Sequence, residues 1–426
     1  MGERKDLRSL IVPTKISNTD EHQRHGDGEF DTIDLIYLAS REELSESGIS
    51  RYEVVEATDY AIMKNFYGSY WLRSAESRQS IDTIRMNGNS DYSFCDSINM
   101  GLRPKLRFKI TAGDTYDIQE LDGSHMLRIG EYPSTKVIKE ESQVLEELYN
   151  GGSLKQGMTT TGRWYTDNGA EYEDIYAGRH SPEFEYNGAR YVRVISYPYD
   201  RGENYSDGTR AGDSGTVRWT KVEPISYKIL NWNEMPQSIN PNGNGKAEYF
   251  DLISESVITT LPFYTMYEDE NSEMWQNSVV RGYLNGIDVR NIKENGNIDY
   301  TAENGGNFEG QCNFLNEAFN LEREPIVEYT IPESEKEICD NAFNGCVMLK
   351  KLTIHPNVKS IGKNAFDGCS FKYAYMLKSG HLILSEMPPE KEEYEQSVNI
   401  EKLRMVFGDF DYELLLRSAE RVNCFI

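Results

Sequence analysis

The sequence predicts an α+β fold that is mostly β. Its 28 Tyr and 34 Gly in 426 residues are typical of short strands and ordered loops rather than long helices. Strand-like runs recur between turn signals, the strongest of which is Asn187-Gly188 between FEY and ARYVRV. The apolar fraction of 38% is enough to bury a core in each of two or three domains.

The charge and the cysteines limit the kinds of partner and cofactor. A formal net charge of −25 repels phosphate backbones, which excludes direct nucleic-acid binding and favours a basic protein. No apolar run reaches the length of about 18 residues that a membrane span needs, and no signal-peptide core follows the first residues. We therefore expect a cytoplasmic or virion-associated protein without membrane insertion. The six Cys include no CxxC pair, so we expect buried reduced thiols, no metal and no cofactor.

Residues 1–30 are predicted to form a polar N-terminal arm. The arm contains His22, His25, Asp27 and Glu29, which could hold a metal only if the segment folded back on itself. Metal sites usually draw their ligands from fixed elements, so a solvated arm is favoured.

Residues 33–108 contain the motif pair on which the rest of the prediction depends. A strand, IDLIYL, precedes a short helix whose start is marked by the capping box of Ser40 and Glu43. Later come YWLRS (70–74) and GLRP (101–104). This pair resembles a bacterial domain family of uncharacterised function and is similar to the closing strands of C-type-lectin-like and formylglycine-generating-enzyme-like domains. The resemblance implies a C-type-lectin-like core over residues 31–320, with the closing half at 33–108.

Residues 124–320 resemble the opening half of the same family. An amphipathic helix, VIKEESQVLEELYN, is followed by aromatic strands and by a second helix, SEMWQNSVVRGYLNG. In this chain the closing half comes before the opening half, whereas in the family the opening half comes first. The chain therefore holds either two incomplete domains or one circularly permuted domain. The permutation is favoured because a closing half alone would leave its apolar faces uncovered. In a permuted domain, residues 109–123 would connect what are the N- and C-terminal ends of the unpermuted family domain. Trp71 should then contact residues within 190–285.

A 23-residue period marks residues 321–385. Phe343 of NAFNGC recurs as Phe366 of NAFDGC, and Ile338 recurs as Ile361. A fixed period of this size indicates a stacked repeat, and the pattern resembles BspA-type leucine-rich repeats. Two or three repeats are expected, with residues 316–319 as a degenerate first copy. Residues 386–426 are predicted to form an acidic linker and a C-terminal helix, DYELLLRSAERV.

Three motifs suggest chemistry that the rest of the sequence does not support. Residues 212–215, GDSG, resemble the nucleophile loop of trypsin-like proteases, but no histidine-bearing motif supplies a base. The Asn-rich segment from Asn240 to Asp251 follows calcium-loop spacing with too little ligand charge, so a solvated turn is favoured. Arg73 and Arg103 could offer guanidinium forks to a ligand, although structural pairing with carboxylates is favoured. No catalytic residue is assigned.

The best candidate for recognition is the loop PYDRGENYSDGTRAGDSG. Tyr and Arg dominate binding surfaces because they give a large contact area with few rotamers. The candidate partner-binding residues are Tyr197, Tyr199, Arg201, Tyr205 and Arg210.

We therefore expect a non-enzymatic recognition protein that binds a protein or a glycan through its loops and its repeat surface. One alternative is an acidic, phage-encoded inhibitor that occupies the basic nucleic-acid groove of a host defence protein. A second alternative is an oxidase like the formylglycine-generating enzymes, but only Cys95 lies in the matching region.

Overall fold

The computed structural model describes residues 6–18, 31–47, 49, 53–77, 80–150, 157–166, 180–199, 204–212, 214–264, 275–287, 313–321, 328–331, 337–338, 343, 349–362, 365–366, 369, 371, 373–377, 379–387 and 394–397. The chain divides into two compact units. The first unit contains residues 1–139 and 194–323, and the second contains residues 140–193 and 324–426. Strands predominate in both, so the prediction of a mostly β chain is confirmed.

The strands that begin before residue 150 are β1 (Thr14–Ile16), β2 (Thr32–Asp34), β3 (Ile36–Leu38), β4 (Ser69–Ser77), β5 (Ser80–Arg85), β6 (Ser90–Phe94), β7 (Gly101–Leu102), β8 (Pro104–Lys109), β9 (Ile118–Leu121) and β10 (Ser124–Lys136). Those between 150 and 300 are β11 (Thr159–Thr166), β12 (His180–Tyr186), β13 (Ala189–Ser196), β14 (Thr216–Ile229), β15 (Tyr249–Ser254) and β16 (Thr259–Thr260). The last are β17 (Glu328–Thr330), β18 (Glu337–Ile338), β19 (Lys351–Ile354), β20 (Ser360–Ile361), β21 (Tyr373–Leu377), β22 (Leu382–Ser385) and β23 (Tyr394–Ser397). The helices are α1 (Arg41–Glu46), α2 (Asp59–Met63), α3 (Lys139–Asn150), α4 (Val279–Asn285) and α5 (Phe314–Phe319). None of the helices in the described ranges is long and apolar enough to span a membrane.

One sheet of the first unit has the strand order β9-β10-β14-β15-β8-β3, and each neighbouring pair is antiparallel. Side chains alternate between the two faces of a strand, and β8 illustrates the result. Leu106 and Phe108 point into the core, whereas Lys105 and Arg107 point to the other face. The second sheet has the order β16-β7-β4-β5-β6.

Trp71 on β4 contacts the part of the chain that the sequence predicts. Its indole Nε1 donates to the carbonyl oxygen of Leu261 at 2.8 Å, and its ring packs edge-on against Phe263 at 5.8 Å. The expected contact with residues 190–285 is therefore present. Trp71 and β14 share the first unit but lie in different sheets, and circular permutation itself stays a prediction.

The N-terminal segment differs from the solvated arm that the sequence predicts. Within residues 6–18, Ile11 and Ile16 are buried, and the amide of Leu7 donates to the carbonyl of Phe319 at 2.9 Å. Apolar contacts at spaced positions thus fix a segment whose average composition is polar. The proposed metal ligands His22, His25, Asp27 and Glu29 lie outside the described residues.

The predicted strand IDLIYL is interrupted at Leu35. The side-chain Oδ1 of Asn285 accepts the amides of Leu35 and Ile36 at 2.8 and 3.0 Å, and its Nδ2 donates to the carbonyl of Ile36 at 2.8 Å. The side-chain amide of Asn285 makes the hydrogen bonds that a neighbouring strand would otherwise make at this point. Strands β2 and β3 accordingly pair in different sheets.

The capping box of the first predicted helix is confirmed, whereas the second predicted helix, 272–286, is within the described residues an α-helix only over α4, with a 3-10 turn at Trp275–Asn277. Ser40 accepts the amide of Glu43, whose carboxylate returns to the Ser40 amide, which is the predicted capping box of α1. In the second predicted helix, Ser278 caps α4 and Gly286 ends it with φ of +66°. The helical spacing places Val279 and Tyr283 in the core.

The 140–193 part of the second unit is an antiparallel ladder with the order β11-β12-β13. Asn187 and Gly188 join β12 to β13 with φ of +51° and +75°, which confirms the predicted hairpin. Leu145 and Leu148 are the buried residues of α3, whereas Val144 is exposed.

The repeats stack with the period that the sequence predicts. β17 pairs with β19 and β18 pairs with β20, both in parallel, with Glu328 opposite Lys351 and Ile338 opposite Ile361. Phe343 and Phe366 stack in the core with their ring centroids 5.8 Å apart. Beyond the repeats, the predicted acidic linker contains a strand, because β23 pairs with β21. The predicted C-terminal helix lies outside the described residues.

Candidate partner-binding loop

The 197–215 loop contains a tight hairpin. The amide of Tyr205 donates to the carbonyl of Thr209 at 2.9 Å, and the amide of Gly208 donates to the carbonyl of Tyr205 at 2.8 Å. Gly208 has φ of +78°, a conformation that side-chain-bearing residues rarely adopt. Asn204 and Arg210 form a bridge at the base of this turn. The tip of the loop therefore has its own backbone hydrogen bonds.

Asp59 anchors the loop to the body of the first unit. This residue is 2% exposed, and its carboxylate accepts the amide and the hydroxyl of Ser206, each at 2.6 Å. The same carboxylate accepts the amide of Lys136 at 2.7 Å. A buried carboxylate with three donors is satisfied and costly to disturb. The conformation of residues 204–210 is thus set before a partner arrives.

Lys136 forms the second anchor. Its Nζ donates to Asp207 and, at 2.7 Å, to Thr209, and it lies 4.9 Å from the ring centroid of Tyr205. Burial acts to raise the pKa of the Asp207 carboxyl, but the hydrogen bonds from Lys136 and Thr209 outweigh it and lower the pKa to about 2.

This lowered pKa gives a testable pH dependence. A carboxyl whose folded pKa lies below its unfolded value of about 3.9 contributes stability above that value. The contribution is lost as the pH falls through about 2. We expect an NMR titration of Asp207 to have its midpoint near 2, with faster amide exchange in residues 204–210 below it. Replacing Lys136 with Met should move the midpoint upward, and an unchanged midpoint would contradict the role of Lys136.

An aromatic pair lies at the start of the loop. The rings of Tyr199 and Tyr67 are 4.3 Å apart, and Tyr67 is 41% exposed. The amide of Tyr197 donates to the carbonyl of Met63 at 2.8 Å, which fixes the backbone beside the pair. Two tyrosine rings held together at the surface offer a contact area of low conformational cost.

The structure places the five predicted residues differently. Tyr197 and Tyr199 are half-buried and Arg210 is exposed. Tyr205 is 2% exposed, which corrects its expected surface position. Its hydroxyl lies 3.3 Å from Ser196 Oγ, and Arg218 lies 5.2 Å from its ring centroid, so it acts as an internal support of the loop. Arg201 lies outside the described residues.

Tyr67 is the residue of this surface that sequence reasoning missed. It stands in FYGSYW, where its neighbour Phe66 is buried. The sequence position of Tyr67 does not indicate that its side chain is exposed, because the exposure depends on the backbone turn before β4. Gly68 has φ of +74° in this turn.

The other motifs have structural roles. Asn240 and Asn244 accept the amides of Asn242 and Lys246, each at 3.0 Å, so the segment is a turn as favoured, although Asn240 is buried and not solvated. Asp251 lies on β15, in the strand ladder. Within the described ranges, no group of three or more His, Cys, Asp or Glu could hold a metal. Ser214 of the GDSG motif is exposed, and Asp213 lies outside the described residues.

Both arginines of the YWLRS and GLRP motifs are buried, as favoured. Arg73 makes a two-pronged pair with Glu43 at 2.5 and 2.7 Å and donates to the carbonyl of Leu38 at 3.0 Å. Arg103 donates to the carbonyl of Ser254 at 2.8 Å. These guanidinium groups connect parts of the first unit.

The comparison with known families gives two matches. Residues 314–386 are similar to a family model described as a BspA type leucine rich repeat region of six copies, and this stretch is long enough for about three of the 23-residue periods seen in the sequence. Residues 4–110, which include YWLRS and GLRP, are similar to a domain of unknown function, DUF6273. No curated protein and no solved structure matches the chain. The repeat prediction is confirmed, and leucine-rich repeats suggest a role in protein interaction.

Proposed function

We propose that the chain is a non-enzymatic recognition protein that binds a protein partner through the 197–215 loop and the repeat surface. The observation that carries this proposal is the loop itself. Its exposed tip is held by the buried carboxylate of Asp59, so little conformational entropy is lost when a partner binds.

The repeats support the same function. Parallel stacking of β17 and β19 builds an extended surface of the kind that repeat proteins use for binding. Glu328 and Thr330 are exposed on this ladder. The partner is basic, because a net charge of −25 attracts cations and accelerates association. A glycan partner remains the second ligand class, to be separated by the experiment below.

The proposal also includes the C-type-lectin-like core and its circular permutation. Support comes from the contact of Trp71 with Leu261 and Phe263 within one unit. Cys95 is buried, which disfavours the reactive thiol that an oxidase would require.

A display selection tests the function. The full chain would be immobilised against a library of protein domains and, separately, against a glycan array. We expect basic protein domains to be selected, with affinity that falls as salt is raised. For a selected domain, the Tyr67→Ala/Tyr199→Ala double variant should bind about tenfold more weakly, since truncating an aromatic anchor of an interface typically costs more than about 1 kcal/mol.

The matched control is Tyr92→Ala. Tyr92 on β6 is 60% exposed but is outside the loop, so its replacement should leave the affinity unchanged. Thr330→Arg tests the repeat surface in the same assay and should weaken binding. Selection of glycans alone, or equal affinity in all variants, would refute this function.

A further inference from the structure

Arg107 lies on β8, on the sheet face opposite to Leu106 and Phe108. Strand β8 is remote in sequence from the 197–215 loop. The Arg107 guanidinium carbon lies 4.6 Å from the ring centroid of Tyr249. Its Nε is buried without a hydrogen-bond partner. Among the residues that the structure describes, none forms a hydrogen bond or a salt bridge with this guanidinium. Arg107 is half-buried. Its guanidinium N–H donors are held against the Tyr249 ring, and no described residue supplies a hydrogen-bond acceptor for them.

Lys105, two residues earlier on the same face, adds a positive charge beside Asp251. Its side chain is 9% exposed, and its Nζ lies 3.8 Å from Glu43 Oε2 and 3.7 Å from Asp251 Oδ1. Both distances exceed the range of a hydrogen bond. The ammonium therefore forms long ion pairs with both carboxylates.

Asp251 is the cross-strand neighbour of Arg107, yet the two side chains form no ion pair within the described part of the chain. The Oδ1 of Asp251 is buried without a hydrogen-bond partner. Burial raises the pKa of this carboxyl, against the lowering effect of Lys105 and Arg107. A carboxylate oxygen without a hydrogen-bond partner thus lies on the strand next to a guanidinium without one.

Such open positions are unusual when they occur together. A buried polar group without a partner costs about 1–3 kcal/mol, and native proteins leave few of them. Two of them, Arg107 Nε and Asp251 Oδ1, lie on neighbouring strands of one sheet face, and a ligand or ordered water can complete them. Arg107 needs an acceptor and Asp251 needs a donor, so the missing group must offer both.

We propose that Arg107, Lys105 and Asp251 form a binding site for a carboxylate that has a neighbouring hydrogen-bond donor. The planar guanidinium matches a carboxylate with two parallel hydrogen bonds, and Asp251 accepts the neighbouring N–H. A sugar ring is disfavoured because Arg107 lies over Tyr249 and removes that face for stacking. A peptide C-terminus and a free amino acid share the required chemistry. This site is additional to the loop and repeat surface of the proposed function.

The experiment uses the full chain and three probes: acetyl-alanyl-alanine with a free carboxylate, the same peptide as its C-terminal amide, and L-alanine. The Arg107 Nε–Hε signal in NMR spectra reports binding, and isothermal titration gives the affinity. We expect the free-acid peptide to shift this signal saturably and the amide to bind about tenfold more weakly, a change equivalent to about 1.4 kcal/mol.

Two variants define the role of the side chain. Arg107→Gln should weaken binding of the free acid about tenfold or more, and Arg107→Lys should recover part of it, because it keeps the charge but loses the fork. Arg85→Gln is the matched control, since Arg85 is an exposed arginine paired with Asp91, and it should bind as the unchanged protein does.

The outcomes separate the two ligand sources. Binding of the peptide acid without L-alanine assigns a peptide C-terminus, and Arg107-dependent binding of L-alanine at equal affinity assigns a free amino acid. If none of the carboxylate probes shifts the Arg107 signal of the unchanged protein, the open positions hold only water and the proposal is overturned. This readout does not depend on the folding of a variant.

Discussion

Replacing Trp71 with alanine should lower the free energy of unfolding of the first unit by about 3–5 kcal/mol. The side chain is 1% exposed, so its removal leaves a large cavity among residues that collapse only partly. The carbonyl of Leu261 also loses its indole donor, and an unsatisfied buried acceptor adds to the cost.

Urea denaturation followed by circular dichroism measures this change. Trp71→Phe is the matched control, because it keeps a ring to pack against Phe263 and loses only part of the volume and the hydrogen bond. Its loss should be clearly smaller. A loss below about 1 kcal/mol for Trp71→Ala would be typical of an exposed position. It would show that this tryptophan does not hold β4 against residues 261–263.

Replacing Asp34 with alanine should cost about 3–5 kcal/mol, because it removes one partner of a buried ion pair. Its carboxylate accepts Arg281 Nε at 2.7 Å, Trp275 Nε1 at 2.8 Å and Thr32 Oγ1 at 2.6 Å. All three donors would lose their acceptor at once, and the Arg281 guanidinium would keep its charge in a largely buried position.

The control for this prediction is Asp31→Ala. Asp31 pairs with Lys15, and their side chains are 17% and 73% exposed, whereas that of Asp34 is 0% exposed; a pair with one solvated partner is expected to contribute about 0–1 kcal/mol. Thermal or urea unfolding of the two variants should therefore separate clearly. If Asp31→Ala and Asp34→Ala lowered the free energy of unfolding equally, burial would not determine how much each ion pair contributes.

Features encoded locally could be predicted from the sequence. The capping box at Ser40 and Glu43 and the turn at Asn187-Gly188 depend on residues within four positions of each other. The repeat was equally accessible, because a period of 23 residues is visible without knowledge of any contact.

Features set by distant partners could not be predicted. The break between β2 and β3 depends on Asn285, about 250 positions away along the chain. The burial of Tyr205 depends likewise on Lys136 and Arg218. Composition marked the loop as a recognition surface, but only the fold shows which of its tyrosines faces outward.

The parallel pairing of β17 with β19 has a consequence for how this region can change during evolution. Glu328 lies opposite Lys351, and Ile338 lies opposite Ile361, so every rung joins positions 23 residues apart. A duplication or deletion of one whole period would restore the same rungs, whereas one of any other length would turn core side chains towards solvent. Relatives should therefore differ here in length by multiples of one period.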